Sequence, residues 1–387
     1  MHDFVPGLEM SRKFYVDVVA GLLGDEGHSA ARLGEGSDVL GFDTVRSTDH
    51  GWGPRLQLFV EPGEIDAVAA LLDRELPDTF LGWPVRFGWD DVAVSHHVDI
   101  NTVDGWLDRQ LGLGRPADLG PIDWLATPQQ LLLEATAGEV FHDGLGELNP
   151  VRDSLAWYPD DVWLWLLACQ WQRIGQEEAF VGRTAEVGDE LGSRLVAGRL
   201  VRDLIRLCFL LERRYTPYTK WLGSAFAQLE ASASVGPALE RALDAGEFEP
   251  RERALAEAYE AIAVRHNRLG LTEHVDPNVR PFYSRPFLVI EATRFVDACL
   301  PRIDDDLLRS LPLVGGIDQF SDSTDIATVR AARAAPGVPR SAAGRLSGVP
   351  VGLHDRADIK VGGRLGRRRD ELSRGMCQGR CRSGGRE

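Results

Sequence analysis

The sequence predicts an α+β protein. A small mixed-sheet domain is expected over residues 1–150, an α-helical bundle domain over 151–326 and a disordered tail over 327–387. Three observations predict this. Alternating apolar stretches, RLQLFV (55–60) and VAVSHHVDIN (92–101), lie in the first part. From Tyr158 onward apolar residues recur at i, i+3 and i+4 over long runs. Past residue 326 the chain is rich in Arg, Gly, Ala and Ser with no sustained period, and such a segment cannot offset its ordering entropy by burial.

Taken in order, residues 8–24 read as a helix: Leu8, Phe14, Val18 and Leu22 recur at helical spacing, Pro6 precedes the run and Gly24 stops it. Residues 29–41 carry a Gly-Ser turn. Residues 55–60 form a strand with Leu56, Leu58 and Val60 on one face, and Pro62 and Gly63 then turn the chain into a helix from Ile65 to Leu76. The strand at 92–101 has Val94, His96, Val98 and Ile100 on one face and Ser95, His97, Asp99 and Asn101 on the other. The pattern alone favours the surface over a cleft for the polar face. Residues 104–147 read as mostly helical with a Gly/Pro-rich linker, and Glu134 as a solvated charge on its helix. Pro159, Asp160 and Asp161 open a long apolar helix, with the acids placed favourably at its dipole. A second long helix runs from about Asp189 to Arg213, and helical pattern continues through 222–270 and 286–310.

Charge is divided unevenly. Residues 330–387 hold 14 Lys and Arg against 5 Asp and Glu, a net +9, which leaves 29 against 54, a net −25, for the rest. A body that acidic repels a polyphosphate backbone, so nucleic acid is disfavoured as a partner and a small molecule or protein hydroxyl fits better. No stretch approaches the roughly 20 apolar residues of a membrane span. The first residues lack the basic-then-apolar pattern of a signal peptide. Of five Cys, Cys169, Cys208 and Cys299 sit in apolar helical context, and Cys377 and Cys381 lack His partners. A cytoplasmic protein is expected.

The chemistry-bearing stretch is GSDVLGFDTVRSTDHGWG, Gly36–Gly53. A Gly-Ser turn at a helix N-terminus offers N–H groups and a hydroxyl to phosphate oxygens. Mg²⁺ takes one or two carboxylates beside the phosphates. Gly36 and Ser37, then Asp49, then Asp99 in HHVDIN, follow that order. The i+2 position after Asp49, where a second carboxylate on a strand would point the same way, is Gly51.

These stretches also carry a resemblance. FVPGLEMSRKFY, GSDVLGFDTVRSTDHGWGPRLQLF, TPQQLLLEATAGEVFHDGLGEL, LAWYPDDVWLWLLACQWQRIGQEEAFVGR, GDELGSRLVAGRLVRDLIRLCFLLERRYTPYTKWLG and DQFSDSTD make residues 1 to about 326 resemble the bacterial nucleotidyltransferase-like proteins of domain of unknown function 4037. That family is similar to the superfamily containing kanamycin and lincosamide nucleotidyltransferases. The resemblance implies a small α/β catalytic domain and a helical domain helping to bind nucleotide and acceptor. It implies transfer of a nucleoside monophosphate from an NTP to a hydroxyl with Mg²⁺. It puts phosphate on Gly36 and Ser37, and metal and catalysis on Asp49 and Asp99. Where the family is expected to carry Asp, this chain carries Gly51. One Mg²⁺ held by Asp49 and Asp99 with the phosphates, Asp43 as a substitute, and nucleotide binding without turnover all stay open.

Further candidates are Lys220 for the triphosphate, with Tyr215 or Tyr218 near the base. His97 shares the strand face of Asp99. Glu177 or Glu178 is a candidate general base, against ion pairs to Arg173 or Arg183. Asp318, Asp322 and Asp325 read as caps and turns. The tail beyond 326 departs from the family's ending, and its Arg/Gly bias points to a shifted reading frame or an added segment. A basic nucleic-acid arm is the weaker alternative, because aromatics are not interleaved.

Overall fold

The computed structural model describes residues 4–24, 27–49, 51–89, 92–321 and 323–328. The chain divides into two compact units, 1–344 and 345–387. The second unit, and with it almost all of the expected disordered tail, lies outside the described residues.

The first helix, α1 (Gly7–Phe14), continues through a π-helical turn, Tyr15–Val19, into Ala20–Leu23. Its apolar side, with Phe14, Val19 and Leu23, packs on one face of a five-stranded sheet. The strands are β1 (Ser29–Arg32), β2 (Arg55–Phe59), β3 (Arg86–Trp89), β4 (Val92–Asn101) and β5 (Glu139–Asp143), and their order across the sheet is β3-β4-β2-β1-β5. β2 and β4 are parallel and joined by a crossover that contains helix α2 (Ile65–Glu75); the other pairings are antiparallel, so the sheet is mixed.

Alternation sorts the two faces. Ala30, Leu56, Leu58 and Val98 share one buried cluster with α1 and with Val68 and Leu72 of α2. Each fully buried Leu there contributes on the order of 2 kcal/mol. On the opposite face Arg55 stands beside His97 and Gln57 beside Asp99 in the β2–β4 register. Two expectations change at this level. The strands β1 and β5 replace stretches read as turn or helix, and β3 lies where the pattern had assigned no element. The polar face of β4 lines a cleft, where its pattern had favoured the surface.

The remainder is helical. α3 (Val103–Leu111) starts at Thr102, whose hydroxyl accepts from Gly105 N at 2.9 Å. α4 (Gln129–Thr136) and α5 (Leu148–Leu155) lead into α6 (Asp160–Glu177). From Val162 to Trp171 every residue of α6 is buried, so it is the central rod of the bundle. Around it pack α7 (Glu190–Leu211) and α8 (Thr293–Cys299), and α7 in turn meets the long helices Glu230–Asp244 and Phe248–Arg268. One apolar cluster runs from Ala31, Leu33 and Phe59 of the sheet region through α6 to Leu308, tying the sheet to the bundle. The architecture is therefore a mixed α/β part followed by a long helical region. No described helix is long and apolar enough to cross a membrane.

Candidate functional site

The Gly-Ser turn is built by a buried ion pair. Arg32, at the end of β1, donates from Nε to Asp38 Oδ2 at 2.7 Å and from Nη2 to Asp38 Oδ1 at 3.0 Å. Its remaining bonds go to the carbonyls of Leu33 and Glu35. The pair presses against Gly36, which has φ +137°; a Cβ there would collide with Asp38 Oδ1 and lie 2.6 Å from Arg32 Nη2. Only glycine fits. Ser37 then opens a turn closed by Phe42 N donating to Ser37 O at 2.8 Å. The expected helix does not follow Ser37: residues 37–41 are turn, and Asp49 ends a short 3₁₀ segment, Val45–Asp49, in place of a strand.

Gly36, Ser37, Asp49 and Lys220 all line one cavity of about 740 Å³. That is within the range of small-molecule sites. Residues 183 positions apart in sequence, Ser37 and Lys220, thus share one wall system. Lys220 Nζ lies 4.8 Å from the Trp221 ring, and Trp221 stacks on Phe42 with centroids 5.0 Å apart at 21°. Tyr218 also lines this cavity, its backbone N–H held by Gln130 Oε1 at 2.9 Å. Tyr215 is buried elsewhere, its hydroxyl donating to Leu155 O at 2.9 Å.

Asp99 is not brought into that cavity. It lines an adjoining one of about 340 Å³, together with His97, Gln57 and Arg109, and it is ion-paired with Arg109. Glu35, Arg55 and Trp89 line both cavities and form their junction. His97 is held structurally. Its Nε2 lies 2.9 Å from Phe87 O, its ring packs 4.1 Å from Phe87 and 5.0 Å from Trp89, and burial holds its pKa below the ordinary histidine value. Asp43 Oδ2 accepts from Gly7 N at 2.7 Å, so this carboxylate serves the first turn of α1. Asp318 likewise accepts from Gln129 N at 2.8 Å at the start of α4. Asp322 and the side chain of Asp325 lie outside the described residues.

Glu177 pairs with Arg199 at 2.7 Å. Glu178 is buried and accepts from Glu291 N and Ala292 N, at 3.0 and 3.1 Å, at the start of α8; burial pushes its pKa up to about 7 despite those two bonds. Neither lines the two cavities described above. Glu134, read as a solvated charge, is buried and lines the larger cavity. It accepts from Gln110 Nε2 at 2.8 Å and Gln130 Nε2 at 2.9 Å. Besides Glu134, Arg32, Arg55, Trp89 and Phe42 belong to the site without a motif that marks them in the sequence. The one local signal was Gln130 four residues before Glu134 on a helix.

Among the described residues no group of three or more His, Cys, Asp or Glu is placed to hold a metal ion by itself. Asp49 is the one carboxylate of the expected set on the larger cavity. That suits Mg²⁺ carried in on phosphates, which needs only one or two carboxylates.

A family profile described as domain of unknown function (DUF4037) matches residues 124–222. The matched stretch runs from Trp124 through α4–α7 to Lys220 and Trp221. It supplies the helical side of the larger cavity and stops short of Gly36–Gly53. No curated protein and no solved structure matches the chain.

Proposed function

We propose that the larger cavity binds an NTP and that the chain transfers its nucleoside monophosphate to a hydroxyl of a small molecule or protein, with Mg²⁺. The observation that carries this reading is the convergence of Gly36–Ser37, Asp49 and Lys220 on one cavity beside a stacked aromatic pair. Ser37 and the turn around it would take phosphate oxygens, Lys220 the triphosphate, and the Phe42–Trp221 pair the base. Stacking of a base on an aromatic face is worth about 1–3 kcal/mol. Asp49 would hold Mg²⁺ on the phosphates. When bound, the metal would neutralise phosphate charge and polarise the reacting oxygens. The acceptor would enter through the smaller cavity. Its oxygen bonds to the α-phosphorus as the α–β P–O bond breaks, pyrophosphate leaves and the hydroxyl proton passes to Asp99.

A second reading, nucleotide binding without turnover, is favoured by two observations: Gly51 faces Arg55 in place of a carboxylate, and Asp99 is held by Arg109. Calorimetry with each Mg–NTP, followed by assay of pyrophosphate release, separates the two. Release in the presence of a hydroxyl acceptor supports transfer. Binding with no release supports the second reading. If no NTP binds, both readings fail.

A further inference from the structure

Arg55 is the first residue of β2, four positions after Gly51, and it lines both cavities. Its guanidinium is held in place by two contacts. Nη2 donates to the carbonyl of Gly51, and Cζ lies 5.1 Å from the Trp89 ring. Neither contact neutralises its charge, and among the described residues no carboxylate pairs with it at ion-pair distance. A guanidinium carries five N–H donors in a planar fork that matches phosphate. A charge drawn out of water without a counter-charge is costly unless a ligand supplies one.

Gly51 explains how the group is accommodated. It has φ +57°, and a Cβ there would lie 3.1 Å from Arg55 Nη2 and 3.0 Å from Trp89 Cδ2. Any side chain at 51 presses on the guanidinium and on the ring that supports it. An aspartate would also place a carboxylate against the cation. The expected second metal carboxylate is thus replaced by a glycine and an arginine that belong together.

We infer that Arg55 is the anion-binding residue at the junction of the two cavities, taking an oxygen of the phosphate chain, and that Gly51 makes room for it. The inference rests on the nucleotide reading of the larger cavity. Burial first, and the neighbouring charge of Arg32 second, push the Arg55 guanidinium below its usual value, while Asp38 and Glu35 act the other way at longer range. An incoming phosphate would supply the counter-charge that the Gly51 carbonyl and the Trp89 ring do not.

The test is calorimetric titration of the full chain with sodium tripolyphosphate and, separately, MgATP. Arg55→Gln and Arg55→Met should each bind tripolyphosphate about tenfold to a hundredfold more weakly, the range of one lost charge-assisted bond. Gly51→Asp should weaken it at least about tenfold by the same reasoning. Arg74→Gln, an exposed cation on α2, controls for net charge and should stay within about twofold. Both Arg55 variants should remain folded, because no ion pair is broken. Wild-type affinity in the Arg55 variants, tighter binding by Gly51→Asp, or unfolding of both Arg55 variants each overturns the inference. If MgATP binds and the Arg55 variants are unchanged, the inference falls and the nucleotide reading stands. If tripolyphosphate binds through Arg55 and no nucleotide binds, the anion site stands and the nucleotide reading falls. If neither ligand binds, both fall.

Discussion

Arg251 in the helical region and Arg55 beside the sheet are both cations drawn out of water, and the protein treats them differently. Arg251 is fully buried and ion-paired: Nη1 donates to Ser193 Oγ at 2.5 Å, and Nη2 to Glu190 Oε2 at 3.0 Å and Ala245 O at 3.1 Å, while its Nε has no hydrogen-bond partner. Arg32, under the Gly-Ser turn, is treated in the same way by Asp38 and two carbonyls. Arg55 has one carbonyl and the face of a ring. The first two hold structure, since each is paired with a carboxylate. The third keeps donors in reserve where two cavities meet. What separates a structural from a ligand-binding charge here is a carboxylate within ion-pair distance.

The largest expected effect tests the structural half of that comparison. Arg32→Met leaves Asp38 buried without its partner, and such losses cost about 3–5 kcal/mol. Thermal melts should show a large destabilisation, and a loss under about 1 kcal/mol would break the distinction. Next comes Glu178, the buried carboxylate of the helical region. Its folded pKa of about 7 lies above the ordinary 4.5, so it stabilises the fold fully below about pH 4.5 and loses that contribution as pH rises through about 7. The stability difference between wild type and Glu178→Gln should therefore shrink by on the order of 3 kcal/mol between pH 4.5 and 8. A difference that stays flat across that range would contradict the assignment. Gly36→Ala, which drives a Cβ into the Arg32–Asp38 pair, should cost about 2 kcal/mol and reduce phosphate binding with it. The smallest stability effect is expected at Arg55→Gln, within about 1 kcal/mol of wild type by chemical denaturation, since the side chain removed makes no ion pair.

The long helices could be read from the sequence because their signals are local; Asp160–Glu177, opened by Pro159 and two acids and carried by a long unbroken apolar run, needs no distant partner to be recognised. The strands Ser29–Arg32, Arg86–Trp89 and Glu139–Asp143 could not. SAAR, RFGW and EVFHD carry no alternation, and β1 is buried on both faces with β2 and β5 as neighbours brought from far along the chain. The site divides in the same way. Gly36, Ser37, Asp49 and Lys220 were visible as residue types and do line one cavity. The fate of Asp99 depended on the cleft under β4 and on Arg109, ten residues later on another element. Arg55 was hidden by its own strand: Leu56, Leu58 and Val60 announce the apolar face, and the opposite face, where the cation lies, carries no pattern of its own. Glu134 looks solvated until Gln110 arrives from α3.

The nucleotide is expected on the Phe42–Trp221 wall of the larger cavity. Photolabelling of the full chain with 8-azido-ATP and Mg²⁺, with the modified residues mapped by mass spectrometry and tripolyphosphate as competitor, tests it most directly. The predicted result is label on Phe42, Tyr218 or Trp221 that the competitor removes. Competitor-sensitive label confined to residues away from the larger cavity, or no specific label at all, would contradict it.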